Sequence, residues 1–147
     1  MNPTRRRFDK AYYDRFYRNP GTRASTPAAA KKLAAFISAY LRYLDLAPRS
    51  ILDVGCGTGS LLRALGREFP KARCHGLEIS DYLCARYGWE QSSIADYGTT
   101  ACFELVVCND VLPYLEDKAC SKALANIGQI CTTASFIGVL TEEDLPN

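Results

Sequence analysis

An α/β fold with a doubly wound, mainly parallel sheet is what this sequence predicts, and three observations carry that expectation. Short apolar runs suited to buried strands alternate with stretches of helical periodicity between residues 50 and 140. Strands and helices in alternation call for right-handed crossovers and parallel pairing. The first apolar run also leads through a glycine-rich turn straight into helical sequence, the arrangement found at the carboxyl edge of an open α/β sheet.

Residues 1–25 carry seven Lys/Arg against two Asp, together with Phe8, Tyr12, Tyr13, Phe16 and Tyr17. Steps of four and one keep those aromatics on one helical stripe, which the Asn19-Pro20-Gly21 turn ends. We read this segment as a basic, aromatic arm that packs on the remaining domain, residues 26–147, or closes over it as a lid. Thr26 before Pro27 is an N-cap with proline at the first helical position. The helix it opens runs to about residue 46, turns Leu33, Phe36, Ile37, Tyr40, Leu41 and Leu44 inward, and stops before Pro48. SILDV (50–54) is the first strand, SLLRALGREF (60–69) a helix and ARCHGLEI (72–79) the second strand. A short helical piece at Tyr82–Tyr87 leads to WEQSSI (89–94), a weak third strand. FELVVCN (103–109) is a strong fourth strand, and residues 117–130 form a helix with Ala119, Leu124, Ile127 and Ile130 inward. ASFIGVL (134–140) is a fifth strand.

Composition narrows the class. A chain of 147 residues, 48% apolar and 23% charged, is one globular domain able to bury a core. A net charge of +2 gives no bulk attraction to nucleic acid or membrane. No apolar run approaches the roughly 18 residues of a membrane span. The N-terminus lacks the apolar stretch of a signal peptide and contains Asp9 and Asp14, unlike a transit peptide. A cytoplasmic protein with no membrane partner is expected. Seven cysteines without a C-x-x-C pair read as reduced thiols, and with His75 as the only histidine no metal site is expected. His75 lies inside the second strand and is read as a core or surface residue rather than a catalytic base.

The turn Gly55-Cys56-Gly57-Thr58-Gly59 leaves the first strand directly behind Asp53. A phosphate-binding P-loop needs Lys-Ser/Thr after its last glycine, whereas Ser60-Leu61 follows here. A dinucleotide fingerprint spaces its glycines G-x-G-x-x-G, whereas this spacing is G-x-G-x-G. Asp53 would repel a pyrophosphate; it suits a cationic ligand or ammonium group, or holds the loop through its own amides. Glu78 ends the second strand nineteen residues after Gly59, where a carboxylate accepts hydrogen bonds from ribose hydroxyls. The combination asks for a positively charged nucleoside without phosphate, and S-adenosylmethionine fits.

ILDVGCGTGSLL resembles the first motif of class I S-adenosylmethionine-dependent methyltransferases. GLEIS resembles their second motif, FELVVCNDVLPYL their fourth-strand motif, and FDKAYYDRFYRNPGTR the leading segment of some bacterial small-molecule members. The resemblance covers about residues 8–145 and implies a Rossmann-like S-adenosylmethionine-binding domain. It implies that Gly55, Cys56, Gly57 and Gly59 form the turn under the methionyl part of the cofactor, with Asp53 close to its amino group. Glu78 would take the ribose and Ile79 lie against the adenine. Where the family has a Gly-Asp pair for the adenine edge, this chain reads Ser92-Ser93-Ile94-Ala95-Asp96, so Ser93 and the Ile94 amide stand there and Asp96 is a further candidate. Asn109 and Asp110 would sit near the sulfonium and acceptor, or cap the following helix. Tyr13 and Tyr17 would cover the cofactor, and Arg23 reach its carboxylate. The Asn-Pro-Pro-Tyr tetrapeptide of amino-group methylating enzymes is absent from Asn109–Tyr114. No catalytic base stands out, although Asp110 and Tyr13 are candidates.

The implied activity is methyl transfer to a small molecule or simple peptide-like acceptor. A non-catalytic cofactor-binding module is the first alternative. A nucleic-acid methyltransferase using the basic arm is the second, disfavoured because the rest of the chain is net negative. Family members usually add a sixth and seventh strand as a hairpin. This sequence reaches only the fifth, so the C-terminal strand pair is expected to be missing, as from a truncated chain or reduced variant. The exposed fifth strand would then favour a homo-oligomer.

Overall fold

The structure, a computed structural model, describes residues 8–19 and 26–140, without the Tyr17 side chain. Five strands form one parallel sheet in the order β3-β2-β1-β4-β5: β1 is Ser50–Val54, β2 Arg73–Glu78, β3 Glu90–Gln91, β4 Phe103–Asn109 and β5 Cys131–Gly138. The chain starts in the middle, winds out to β3, then crosses back to β4 on the other side of β1. The switch point therefore lies between β1 and β4, and loops leaving their carboxyl ends diverge to open a crevice. Neighbouring residues along β1 face opposite sides. Leu52 and Val54 join Leu77, Val106 and Cys108 under the helix α5, Asp117–Ile130. Ile51 joins Leu105 and Val107 under α2, Pro27–Tyr43, and α3, Ser60–Glu68.

The arm departs from the single helical stripe. Asp9 caps a short helix α1, Lys10–Tyr13, accepting from the Tyr12 amide at 2.9 Å, and the chain then widens into a π turn over Asp14–Arg18. The wider turn breaks the three-and-four spacing, so Tyr13 alone is fully buried while Phe8, Tyr12 and Phe16 are half-buried.

Thr26 caps α2 through the Ala29 amide at 3.0 Å, but the helix ends at Tyr43 and its buried face is only partly the one expected: Leu33, Ile37 and Leu41 pack inward as predicted. Ala30, Ala34, Ile37, Ser38 and Leu41 face inward, whereas Phe36 and Tyr40 are exposed and Leu44 lies beyond the helix. Small residues let α2 approach α3 closely, and Ser38 then donates to Glu68 Oε2 at 2.9 Å.

In α5, Ala123, Ile127 and Ile130 are buried and Ala119 half-buried, while Leu124 points outward at 44% exposure. A short helix α4, Asp81–Tyr87, follows β2. The third strand shrinks to two paired residues, because Ser93 caps a 3₁₀ turn, Ile94–Asp96, instead of extending the ladder. β5 begins directly after Ile130, three residues earlier than expected, and stops at Gly138. It pairs only with β4 among the described residues, and Ile137, Val139 and Leu140 are exposed. No helix among the described residues is long and apolar enough to cross a membrane.

Candidate functional site

The crevice holds a cavity of about 690 Å³. Its floor is the turn after β1. Cys56 donates its amide to the Leu77 carbonyl at 3.1 Å, tying the turn to β2, and Gly59 N–H closes it on the Cys56 carbonyl at 2.8 Å. Gly57 has φ +56°, and a Cβ added there would meet no atom within 4 Å, so its bare backbone faces open space. Gly59 is held differently. It does not border the cavity; a Cβ there would come within 2.5 Å of the Trp89 ring, so this glycine lets the indole pack behind the turn. Trp89 Nε1 also donates to the Gly57 carbonyl at 3.0 Å.

Two carboxylates lie beneath this turn. Glu78, buried at the end of β2, accepts from the amides of Gly57 (2.8 Å), Ile79 (2.8 Å) and Ser80 (3.0 Å). Three of about four acceptor sites on a carboxylate are thus filled. Glu78 fixes the turn and keeps room for one further hydroxyl rather than two. Asp53 is 2% exposed, and its Oδ2 has no hydrogen-bond partner among the described residues. Burial, reinforced by the nearby Glu78 charge, pushes the Asp53 carboxyl up to about 8. Burial likewise raises the Cys56 and Cys108 thiols, Cys108 up to about 12.

Around the cavity stand Asp53, Gly55, Cys56, Gly57, Glu78 and Ile79 from β1 and β2, and Ser93 and Ile94 from the 3₁₀ turn. Asn109 and Asp110 reach it from the end of β4, and Tyr13 from the arm. Asn109 and Asp110 do not cap α5, whose N-cap is Glu116; a 3₁₀ turn, Leu112–Tyr114, intervenes. Ser93 spends its hydroxyl on the Ala95 amide at 3.3 Å. Asp96 does not border the cavity and turns to Lys122 at 3.7 Å. His75 is also off the cavity, against Glu90 at 2.6 Å. The Tyr17 side chain and Arg23 lie outside the described residues.

Sequence reading missed several contributors. Phe8, Tyr12 and Tyr114 wall the cavity, and the Phe8 and Tyr114 rings meet edge to face at 5.7 Å. Ser80 Oγ donates to the Phe8 carbonyl at 2.7 Å, and Arg18 donates to the Tyr82 hydroxyl at 3.0 Å. The arm is therefore fastened on both sides of the crevice. Asn126 supports the far wall, donating to the carbonyls of Ile94 (2.8 Å) and Ala95 (3.2 Å). The lone Trp89 was the one signal available in the sequence.

A parallel sheet of this order, with a G-x-G-x-G turn over one orphaned and one loop-bound carboxylate, is the Rossmann-like fold of class I S-adenosylmethionine-dependent methyltransferases. The chain belongs to the Methyltransferase domain family, whose pattern matches residues 23–137. It is 32% identical over 93 residues to a malonyl-[acyl-carrier protein] O-methyltransferase of Legionella pneumophila, covering 56% of this chain and 33% of that protein. It is 32% identical over 98 residues to a trans-aconitate 2-methyltransferase of Pseudomonas paraeruginosa, covering 61% and 35%. In fold it matches a sugar N-methyltransferase from Streptoalloteichus with a TM-score of 0.71 at 24% identity, covering 92% of this chain and 56% of the other. The chain thus spans about a third of the length of these curated relatives.

The residues present fit S-adenosylmethionine. The orphaned Asp53 oxygen matches its cationic end, and the open face of Gly57 is a cradle that any Cβ would enter.

Proposed function

We propose that this domain binds S-adenosylmethionine across the carboxyl ends of β1 and β2 and transfers its methyl group to a small-molecule acceptor on the β4 side. The observation that carries the reading is Asp53, a buried carboxyl beside the cavity whose Oδ2 no group among the described residues satisfies. An unpartnered buried carboxyl is costly unless a ligand completes it. Malonyl-carrier and aconitate methylation by similar proteins supports a small acceptor.

When bound, the cofactor supplies a methyl group already activated by its sulfonium. The protein's task is then alignment and exclusion of water. Glu78 and the Gly57 backbone position the nucleoside, Asp53 receives the cationic end, and the arm covers both through Phe8, Tyr12 and Tyr13. Residues 1–25 act as a lid on a domain comprising 26–147. No disulfide joins any of the seven cysteines, all within the described residues, which supports a reducing, cytoplasmic setting. The edge of β5, which pairs with no further strand among the described residues, supports self-association.

Isothermal titration with S-adenosylmethionine and S-adenosylhomocysteine tests the reading. Binding of both is expected, weakened by Glu78→Ala and by Asp53→Ala; no binding of either at millimolar concentration would refute it.

A further inference from the structure

We infer that the acceptor is an amine carried on an apolar or aromatic body, oriented by the Asp110 carboxylate. This rests on the methyl-transfer reading and narrows its substrate class. Every charged side chain bordering the cavity among the described residues is a carboxylate: Asp53, Glu78 and Asp110. The first two sit with the glycine turn on the β1–β2 side, leaving Asp110 as the charge on the β4 side. There the walls are Phe8, Tyr12, Tyr114 and Leu140. Tyr114 is 49% and Leu140 61% exposed, so the apolar surface continues to the mouth, where a ligand's body would cover it.

Asp110 is held in place rather than left at a loop tip. Its φ is +55°, a left-handed conformation sparsely populated by residues other than glycine, and one that in folded proteins gathers at ligand clamps. Its amide donates to the Gly138 carbonyl at 2.8 Å, and its Oδ2 accepts from Asn109 Nδ2 at 2.9 Å. Gly138 makes this possible, since a Cβ there would overlap Asn109 Oδ1. Asp110 is exposed, and its other oxygen, Oδ1, accepts no hydrogen bond among the described residues and stands open to a ligand. An ammonium N–H donates to it in a charge-assisted hydrogen bond. The Phe8–Tyr114 pair beside it offers aromatic surface to both the cation and the apolar body. A carboxylate in the same place would meet Asp110 as a like charge.

The ammonium first gives one proton to water, freeing the nitrogen lone pair. That lone pair forms the new N–C bond as the methyl–sulfur bond breaks, with the broken bond's electron pair passing to sulfur. The N-methylated product carries the positive charge that the sulfonium loses.

The test titrates two probes that share a phenethyl body, phenethylamine and 3-phenylpropanoate, into the full chain saturated with S-adenosylhomocysteine. The amine is expected to bind about tenfold tighter or more, the worth of one charge-assisted hydrogen bond. Asp110→Asn is expected to bring that ratio close to one. Equal binding, preference for the carboxylate, no amine binding at millimolar concentration, or an unchanged ratio in the variant would each overturn the inference. Loading with S-adenosylhomocysteine is measured first. Failure at that stage refutes the methyl-transfer reading itself, whereas loading followed by equal binding refutes the acceptor class alone.

Discussion

Replacing Asp53 with asparagine isolates the one buried carboxyl whose Oδ2 has no partner among the described residues. Its pKa stands at about 8 against an ordinary 3.8, because burial and the Glu78 charge both disfavour ionisation. A carboxyl raised in this way gives the cofactor-free fold stability that is complete below the unfolded pKa. That stability is lost as pH rises from there through about 8. The loss is about 1.4 kcal/mol per pH unit, which at pH 7 accumulates to the order of 4 kcal/mol. Asp53→Asn removes this dependence while keeping the side chain's shape. Urea unfolding of both proteins from about pH 4.5 to 8.5 should show a pH-dependent difference of about 1 kcal/mol at the acid end, widening in favour of the variant to about pH 7 and levelling off through about 8. Titrating groups remote from Asp53 cancel in that difference, whereas Glu78, which couples to it, does not. Parallel stability curves would show that Asp53 is not held neutral and would refute the reasoning. The same substitution removes the partner for a cation, so S-adenosylmethionine binding should weaken about tenfold or more. In the wild type, binding at pH 7 should release a proton from Asp53, because burial holds its carboxyl largely protonated in the cofactor-free protein. Calorimetry in buffers of different ionisation enthalpy reads that proton directly.

Gly59→Ala should destabilise by about 1–3 kcal/mol, since a Cβ meets the Trp89 ring and φ is +78°; an unchanged melting temperature would show that the indole does not pack there. Ser80→Ala removes both the donor to the Phe8 carbonyl and the cap of α4, with a stability loss of about 1 kcal/mol. Trypsin should then cut faster at Arg15 and Arg18, and cleavage at the wild-type rate would mean the arm is not clasped at this point. Ile137→Lys places a charge on the exposed edge strand and should abolish self-association. Sedimentation at high concentration reads it, and a wild-type chain that stays monomeric would remove the edge as an interface.

The central strands and the glycine turn were readable because their signals are local. β1 and β4 are apolar runs buried on both faces, Asp53 and the turn lie at the end of β1, and Glu78 follows the buried Gly76-Leu77 at the end of β2. Helix faces were less readable. Phe36, Tyr40 and Leu124 fit an apolar stripe as well as the alanines beside them, but only the small face of α2 lets α3 approach, and tertiary packing chose it. The third strand failed for a related reason. Ser93 makes a local side-chain bond that competes with the ladder, and an edge strand has one neighbour to hold it. Trp89, Ser80 and Asn126 act on residues roughly 30 to 70 positions away in sequence, and no spacing rule reaches that far.

The arm's two anchors bear on how donor and acceptor meet. Ser80 follows Glu78 on the cofactor side of the switch point, while Tyr114 follows Asp110 on the acceptor side, and Phe8 touches both. In the proposed arrangement, Phe8 thus spans the line along which the methyl group would travel. Each contact alone is weak, and an edge-to-face ring pair contributes only about 0.5–1.5 kcal/mol. Closing the arm requires both sides of the crevice to be in place, so occupancy of one side favours closure over the other. In the proposed lid, such ordering would couple cofactor and acceptor binding without any direct contact between their recognition residues.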